Sequence, residues 1–203
     1  MCGSVSITGA LVVDFECPVD PAEYMGSAGG PNTGDHLPPD WFIQYGMDLK
    51  GKPGAKVYAA FDGTVSVYKP HTPADDTSKI FGAQIFIRYP YPTGQMGGFY
   101  THITGVPSAI AVGKDVSRGD FLGKIIDRGP ASHLHHAVME YVSGAKVGVD
   151  LYSFYLALQT TYSAYALPVR FKQDGNPPEV LWPIRHDEQA ANKVKEPAQR
   201  YQP

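Results

Sequence analysis

Apolar and polar positions alternate with a period of two over much of this chain, the pattern of strands that bury one face. Segments 41–49, 56–60, 64–68, 83–89, 99–103, 121–127 and 133–141 carry it. Turn chemistry separates them, in Asp62-Gly63, Pro92-Thr93-Gly94, Arg118-Gly119 and Arg128-Gly129-Pro130, where Gly and Pro supply the backbone angles of a reversal. Upstream, Val5, Ile7, Leu11 and Val13 mark short strand material in residues 1–16, and a Pro/Gly-rich loop runs from Cys17 to about Pro39. A loop of that length inside a compact domain tends to be functional or disordered. After Val149 the pattern changes. Residues 150–161 predict a short helix, with Asp150 as N-cap and an apolar stripe through Leu151, Phe154, Tyr155 and Leu158. Residues 169–182 predict a hairpin around Asp174-Gly175-Asn176. Closely spaced strands with such turns predict a mainly β fold, with antiparallel β-sheets packed as a sandwich or open barrel, long loops and a short C-terminal helix. The expected organisation is a β domain over 1–149 with its motif core at about 41–141, a C-terminal extension over 150–185 packing on it, and a polar tail over 186–203.

The length of 203 residues suffices for one domain with a substantial core, and 22 Gly with 18 Pro agree with many turns. Charged residues make up 18% and the formal net charge is -3, which gives no basic footprint for nucleic acid. No apolar stretch is long enough to span a bilayer. The start, Met1-Cys2-Gly3-Ser4, lacks the basic and then apolar run of a secretory signal, so classical export is not expected. Cys2 and Cys17 are too few for a disulfide scaffold and wrongly spaced for a zinc knuckle. Pairing and free thiols both stay open for them, and neither is expected to be catalytic. There is no phosphate-cradling Gly loop and no nucleophile elbow, which argues against phosphoryl transfer and serine hydrolysis.

The placement of the seven histidines changes the picture most. His133 and His135 lie two apart in a predicted strand and project from one face, while Leu134, His136 and Val138 point the other way. Such a pair can set a metal ligand beside a second catalytic group, or it can be two surface histidines on an amphipathic strand. Asp48 favours the first reading. It follows apolar Phe42 and Ile43 in Gly46-Met47-Asp48-Leu49, and an unpaired buried carboxylate is costly, so it should face a cation, a metal or backbone donors. Capping the turn before Lys50-Gly51 is its plainer role. His102, in Phe99-Tyr100-Thr101-His102, is a third strand imidazole, with Tyr100 expected on its face. His71 and His186 sit among Pro and charged residues and are expected to face solvent, and His136 is given no role. Tyr45, Tyr100 and Trp41 are candidate walls of a peptide groove.

Taken together and in order, five segments resemble a known family. They are Gly46-Met47-Asp48-Leu49, Gly63-Thr64-Val65, Tyr100-Thr101-His102, the V-x-x-G-D-x-L-G stretch from Val116 to Gly123, and His133-Leu134-His135. That order resembles the lysostaphin/LytM-type zinc endopeptidases, which cut peptide bridges of bacterial cell walls, over roughly half the chain. The resemblance implies Zn2+ held by Asp48 and His135, with His102 and His133 as non-ligand catalytic histidines beside the metal-bound water. It also implies bacterial peptidoglycan peptides as substrate and action at the cell wall, in the periplasm or outside the cell. Delivery would then use a secretion apparatus, a phage particle or a leader not present in this sequence. The segment after Val149 would be a candidate dock for a carrier or an immunity-type inhibitor.

One departure from the family matters. The commoner branch carries a zinc-binding His four residues before the Asp, where this chain has Gln44, and a neutral amide is a poor zinc ligand. Either His36, on the loop upstream, supplies the ligand, which resembles the beta-lytic/staphylolysin branch, or the site is degenerate and the chain is an inactive wall- or partner-binding module. His36 is preferred because Asp48, His102, His133 and His135 all remain. A third class, the lipoyl or biotinyl carriers, shares the turn pattern of residues 116–123 but presents a modifiable Lys at a hairpin tip, and this chain shows none.

Overall fold

The computed structural model describes residues 11–89, 96–160, 167–171 and 177–180. In chain order the elements are β1 (Leu11–Phe15), β2 (Tyr24–Gly29), α1 (Trp41–Gln44), β3 (Met47–Gly51), β4 (Lys56–Tyr58), β5 (Gly63–Lys69), β6 (Ala83–Arg88) and β7 (Met96–Thr104). There follow β8 (Asp115–Val116), β9 (Phe121–Ile125), β10 (His133–Val142), β11 (Ala145–Val149), α2 (Tyr152–Thr160), β12 (Leu167–Phe171) and β13 (Glu179–Val180). The expected strand positions Val5 and Ile7, the turns at Pro92-Thr93-Gly94 and Asp174-Gly175-Asn176, Trp182, Cys2, His186 and the tail 186–203 lie outside the described residues, as does the side chain of Leu158.

The fold is mainly β, in antiparallel sheets that do not close into a barrel. The larger, 10-stranded sheet runs β2-β3-β10-β7-β6-β5-β8, with β11 on β10, β9 on β7 and β4 on β9. A 3-stranded sheet, β1-β12-β13, joins the start of the described chain to its end. The alternation in β10 sorts its two faces. Leu134, His136 and Val138 enter the main core with Phe15, Leu49, Ile85, Tyr100 and Phe154, while Ala137 and Met139 join Phe86 and Phe99 in a second cluster on the other face. The predicted helix is α2, and Leu151, Phe154 and Tyr155 are buried beside it or in it. The Asp150 carboxylate accepts the Tyr152 N–H at 2.9 Å, the capping bond expected of it.

Two stretches depart from the alternation reading. Residues 41–44 form a single helical turn instead of the start of a strand, with the Ile43 and Gln44 N–H groups donating to the Asp40 carbonyl. Three successive large apolar residues suit that turn, because Trp41 and Phe42 then both reach the second cluster, against Phe86 and Phe99. The long loop read from Cys17 to Pro39 contains β2, an edge strand on β3. Its sequence, YMGSAG, has weak strand propensity, and two register shifts interrupt its pairing, so its strand character comes from its neighbour.

Candidate metal centre

Asp48 on β3 stands directly opposite His135 on β10 in the antiparallel ladder, and Gly29 of β2 flanks it on the other side. Direct cross-strand partners are the closest side-chain pairs a sheet offers. Here Asp48 Oδ1 lies 2.9 Å from His135 Nδ1. The loop after β2 brings His36 Nε2 to 3.2 Å from the same oxygen, and His133 Nε2 lies 3.5 Å away. Gly46 makes room for this arrangement, since a β-carbon there would lie 2.1 Å from His135 Cε1.

Each of these rings has one nitrogen against a backbone carbonyl, which can only accept. His36 Nδ1–H donates to Gly30 at 2.8 Å, His135 Nε2–H to Phe42 at 2.7 Å and His133 Nδ1–H to Ala131 at 2.7 Å. A neutral imidazole carries a single N–H, so the remaining nitrogen of each ring turns a lone pair toward an ionised carboxylate. Lone pairs converging this closely repel unless a positive charge lies among them. A proton on a ring is one answer, and the hydrogen bond with Asp48 accordingly raises His36 above its ordinary pKa, against the opposing effect of burial. Burial alone would raise the Asp48 carboxyl. Hydrogen bonds with His135 and His36 and the charge of His133 outweigh it and hold the group well below the usual carboxylate range.

A divalent cation is the other answer, and the donor set suits one. The ligand atoms of His36, Asp48 and His135 all lie within 4.8 Å of one another. Tetrahedral zinc with bonds of about 2.0–2.1 Å needs ligand atoms roughly 3.3–3.5 Å apart; His36 Nε2 lies near that separation from Asp48 Oδ1, at 3.2 Å, and His135 Nδ1 lies closer, at 2.9 Å. The carbonyl partners of the distal ring nitrogens are the outer contacts that fix tautomer and ring orientation in metal-binding histidines. Gln44 stands away from this cluster. Its side-chain amide donates to Asn32 Oδ1 at 2.8 Å and its carbonyl accepts the Asn32 N–H at 2.9 Å, so it fastens the loop that carries His36.

His102 reaches the same cavity by a backbone irregularity. Ala83 pairs with Ile103 and Ile85 with Tyr100, so β7 has one residue more than β6 across this interval, a bulge. His102 has φ 66, a left-handed angle that is strained for a residue other than glycine. The consequence is that Tyr100 and His102 part company. Tyr100 is fully buried and its hydroxyl accepts the Ala60 N–H at 3.0 Å, while the His102 ring lies 4.6 Å from that of His133 and 5.7 Å from that of His135. Tyr100 is therefore a core residue, which corrects its expected place on the groove wall. Phe81 clamps His102 twice, stacking on it at 3.8 Å and accepting its Nδ1–H at 3.1 Å. Burial, with the charges of His133 and His135, lowers the His102 pKa to about 3, so its ring is neutral at ordinary pH.

These groups line a cavity of about 190 Å³ that holds His36, Asp48, His102, His133 and His135, with Phe81 and Lys79 at its wall. Tyr45 is not on that wall; its ring packs on Gly148 of β11. Sequence reasoning missed Phe81 and the carbonyls of Gly30, Phe42 and Ala131, and main-chain groups leave no signature in residue types. His71 Nε2–H donates to the Asp76 carboxylate at 2.8 Å, away from this cavity. His136 is buried against Tyr100, and burial lowers its pKa to about 3. Cys17 is a buried free thiol pushed up to about 12 by burial.

Residues 42–148, just over half of the sequence, match the sequence model of peptidase family M23. The chain belongs to this family. His36 precedes the matched stretch of this M23 family member and α2 follows it. Among solved structures, a zinc-containing peptidase from Vibrio cholerae is 23% identical with a TM-score of 0.46, over 66% of this chain and 39% of that one. Lysostaphin from Staphylococcus simulans is 21% identical with a TM-score of 0.44, over 66% and 51%. The M23 metalloprotease pseudoalterin, of deep-sea origin, is 14% identical with a TM-score of 0.47, over 67% and 75%. The chain thus spans about half or less of the first two. No curated protein matches it. Among the described residues, no helix is long and apolar enough to cross a membrane.

Proposed function

We propose that this M23 peptidase is a zinc-dependent endopeptidase that hydrolyses peptide stems or cross-links of bacterial peptidoglycan, acting at the cell wall. The observation that carries the reading is the convergence of His36, Asp48 and His135 on one point, with His102 and His133 on the same cavity. His36, Asp48 and His135 would hold the zinc, which when bound would polarise an amide carbonyl and acidify a water. The remaining work falls to the protein's own side chains. His133, its Nδ1–H held by Ala131, turns Nε2 inward as a proton acceptor. His102 has its Nδ1–H held by Phe81 and is kept neutral by burial, so its Nε2 can hold and orient a water by accepting a hydrogen bond, while the proton itself goes to His133. In the hydrolysis the water oxygen bonds to the carbonyl carbon, the C–N bond breaks, and the proton taken by an imidazole passes to the departing amine. A protonated imidazole on this wall also stabilises the developing oxyanion.

The test is digestion of purified peptidoglycan by the zinc-loaded protein, with the products separated by liquid chromatography and mass spectrometry. The expected result is muropeptides bearing new free amino ends, absent with Asp48→Ala. A protein that carries zinc and yet yields no such product from either Gly-bridged or directly cross-linked walls would be an inactive, wall- or partner-binding homologue.

A further inference from the structure

Two stretches outside the matched residues 42–148 meet beside the metal centre: the loop that delivers His36 and the start of α2. Their meeting point is Gly30. Its carbonyl takes three donors, the Thr33 hydroxyl at 2.7 Å, the His36 Nδ1–H at 2.8 Å and the Thr33 N–H at 3.3 Å. Its α-carbon abuts the Tyr152 ring, since a β-carbon placed on Gly30 would lie 3.1 Å from Tyr152 Cδ2 and 3.5 Å from Met47 Sδ. Met47 is fully buried on β3, one residue before Asp48. The backbone at Tyr152 is anchored in turn, because Leu151, Phe154 and Tyr155 are sunk in the core and Asp150 holds the Tyr152 N–H, while the residue itself is half exposed, with one ring edge toward Gly30.

The loop is fastened to Gln44 at Asn32, and between there and His36 it is open to solvent. Asn32, Thr33, Gly34, Asp35 and Leu37 are all exposed, and His36 is the buried residue among them. Ordering such a stretch costs conformational entropy, so a ligand carried on it binds tightly only where something outside the loop fixes its aim. Resting on the metal-centre reading above, we propose that Tyr152 is a positioning residue for the first metal ligand. It presses on Gly30, fixes the carbonyl that holds His36 Nδ1, and so keeps Nε2 aimed at Asp48. The C-terminal segment is by this account part of the metal centre without touching it.

The measurement is zinc affinity of the full-length protein, by competition with a chromophoric chelator, beside the melting temperature of the metal-free form. Outer-shell partners of metal ligands are worth about 10–100-fold in affinity, and a contact one step further out should fall near the lower end, roughly tenfold. Tyr152→Ala should lose that much, and Tyr152→Phe should match wild type because the ring edge makes the contact. Leu156→Ala, an exposed change on the same helix, should have no effect. Thr33→Val, which removes a hydroxyl from the exposed side of the same carbonyl, should weaken zinc severalfold with the metal-free melting temperature unchanged. It decides the matter if Tyr152→Ala also destabilises the fold. Zinc affinity within twofold of wild type in Tyr152→Ala, or unchanged in Thr33→Val where Tyr152→Ala unfolds, would overturn the proposal alone. A wild type that takes up no zinc would overturn the metal-centre reading and this inference with it.

Discussion

Gly46→Ala places one methyl group where the geometry allows none. The new β-carbon would lie 2.1 Å from His135 Cε1 and 2.4 Å from Nε2, about 1.4 Å inside the ~3.5 Å contact distance of such atoms. Gly46 is not at a positive φ, so alanine suits the backbone and any defect must come from the collision. The His135 ring is held on its far edges by Phe42 and Asp48, so it cannot move away without breaking one of those contacts. Overpacking of this kind costs about 1–3 kcal/mol, which in a protein of this size lowers the melting temperature by roughly 3–10 °C. The larger effect falls on the metal. A ligand ring displaced by about 1 Å loses both its aim and its outer hydrogen bond, and the expected loss of zinc affinity is about 100-fold or more. Chelator competition reads the affinity and a thermal melt of the metal-free protein reads the fold. Gly46→Ala with unaltered zinc affinity would refute the reasoning, because it would mean that His135 does not bind the metal from the observed position.

His102→Ala should keep zinc and lose about 10²–10⁴ in turnover, read by elemental analysis beside a muropeptide assay; loss of the zinc would make His102 a ligand instead. His102→Gly should be equally inactive yet more stable than His102→Ala by about 1 kcal/mol, because only glycine tolerates φ 66 without strain. Buried His136 has its pKa lowered to about 3, so between that value and its ordinary 6.5 the unfolded chain binds the extra proton. Its contribution to stability is complete above about pH 6.5 and is lost as pH falls toward 3, with a slope of about 1.4 kcal/mol per pH unit. Urea midpoints of the metal-free protein across that window should fall less steeply in His136→Leu, and parallel slopes would show that His136 titrates normally.

Much of this fold was legible because a pleated strand has a fixed period. The alternation in 133–141 put His133 and His135 on one face and His136 on the other, and β10 has them so. The same rule failed at His102. It assumes an unbroken ladder, and the extra residue in β7 with a left-handed His102 separates that ring from Tyr100; nothing in Phe99-Tyr100-Thr101-His102 announces a bulge. The run at Trp41 was misread because three large apolar residues in succession fit a helical turn as well as a strand. β2 was invisible because Gly, Ser and Ala carry no strand preference, and its pairing is set by β3. His36 could be nominated only through the family resemblance, in which Gln44 stands where the commoner branch has a His and one branch carries its His upstream. What brings it to Asp48 is the Gly30 carbonyl and the Asn32–Gln44 fastening, which depend on where the chain runs in space.

The central claim is that His36, Asp48 and His135 form one zinc site, and it is tested most directly by the zinc content of purified protein by elemental mass spectrometry, with His36→Ala and Gln44→Ala beside wild type. About one zinc per chain is expected in wild type, with the metal lost from His36→Ala and largely kept in Gln44→Ala. Zinc retained in full by His36→Ala, or absent from all three, would contradict the account.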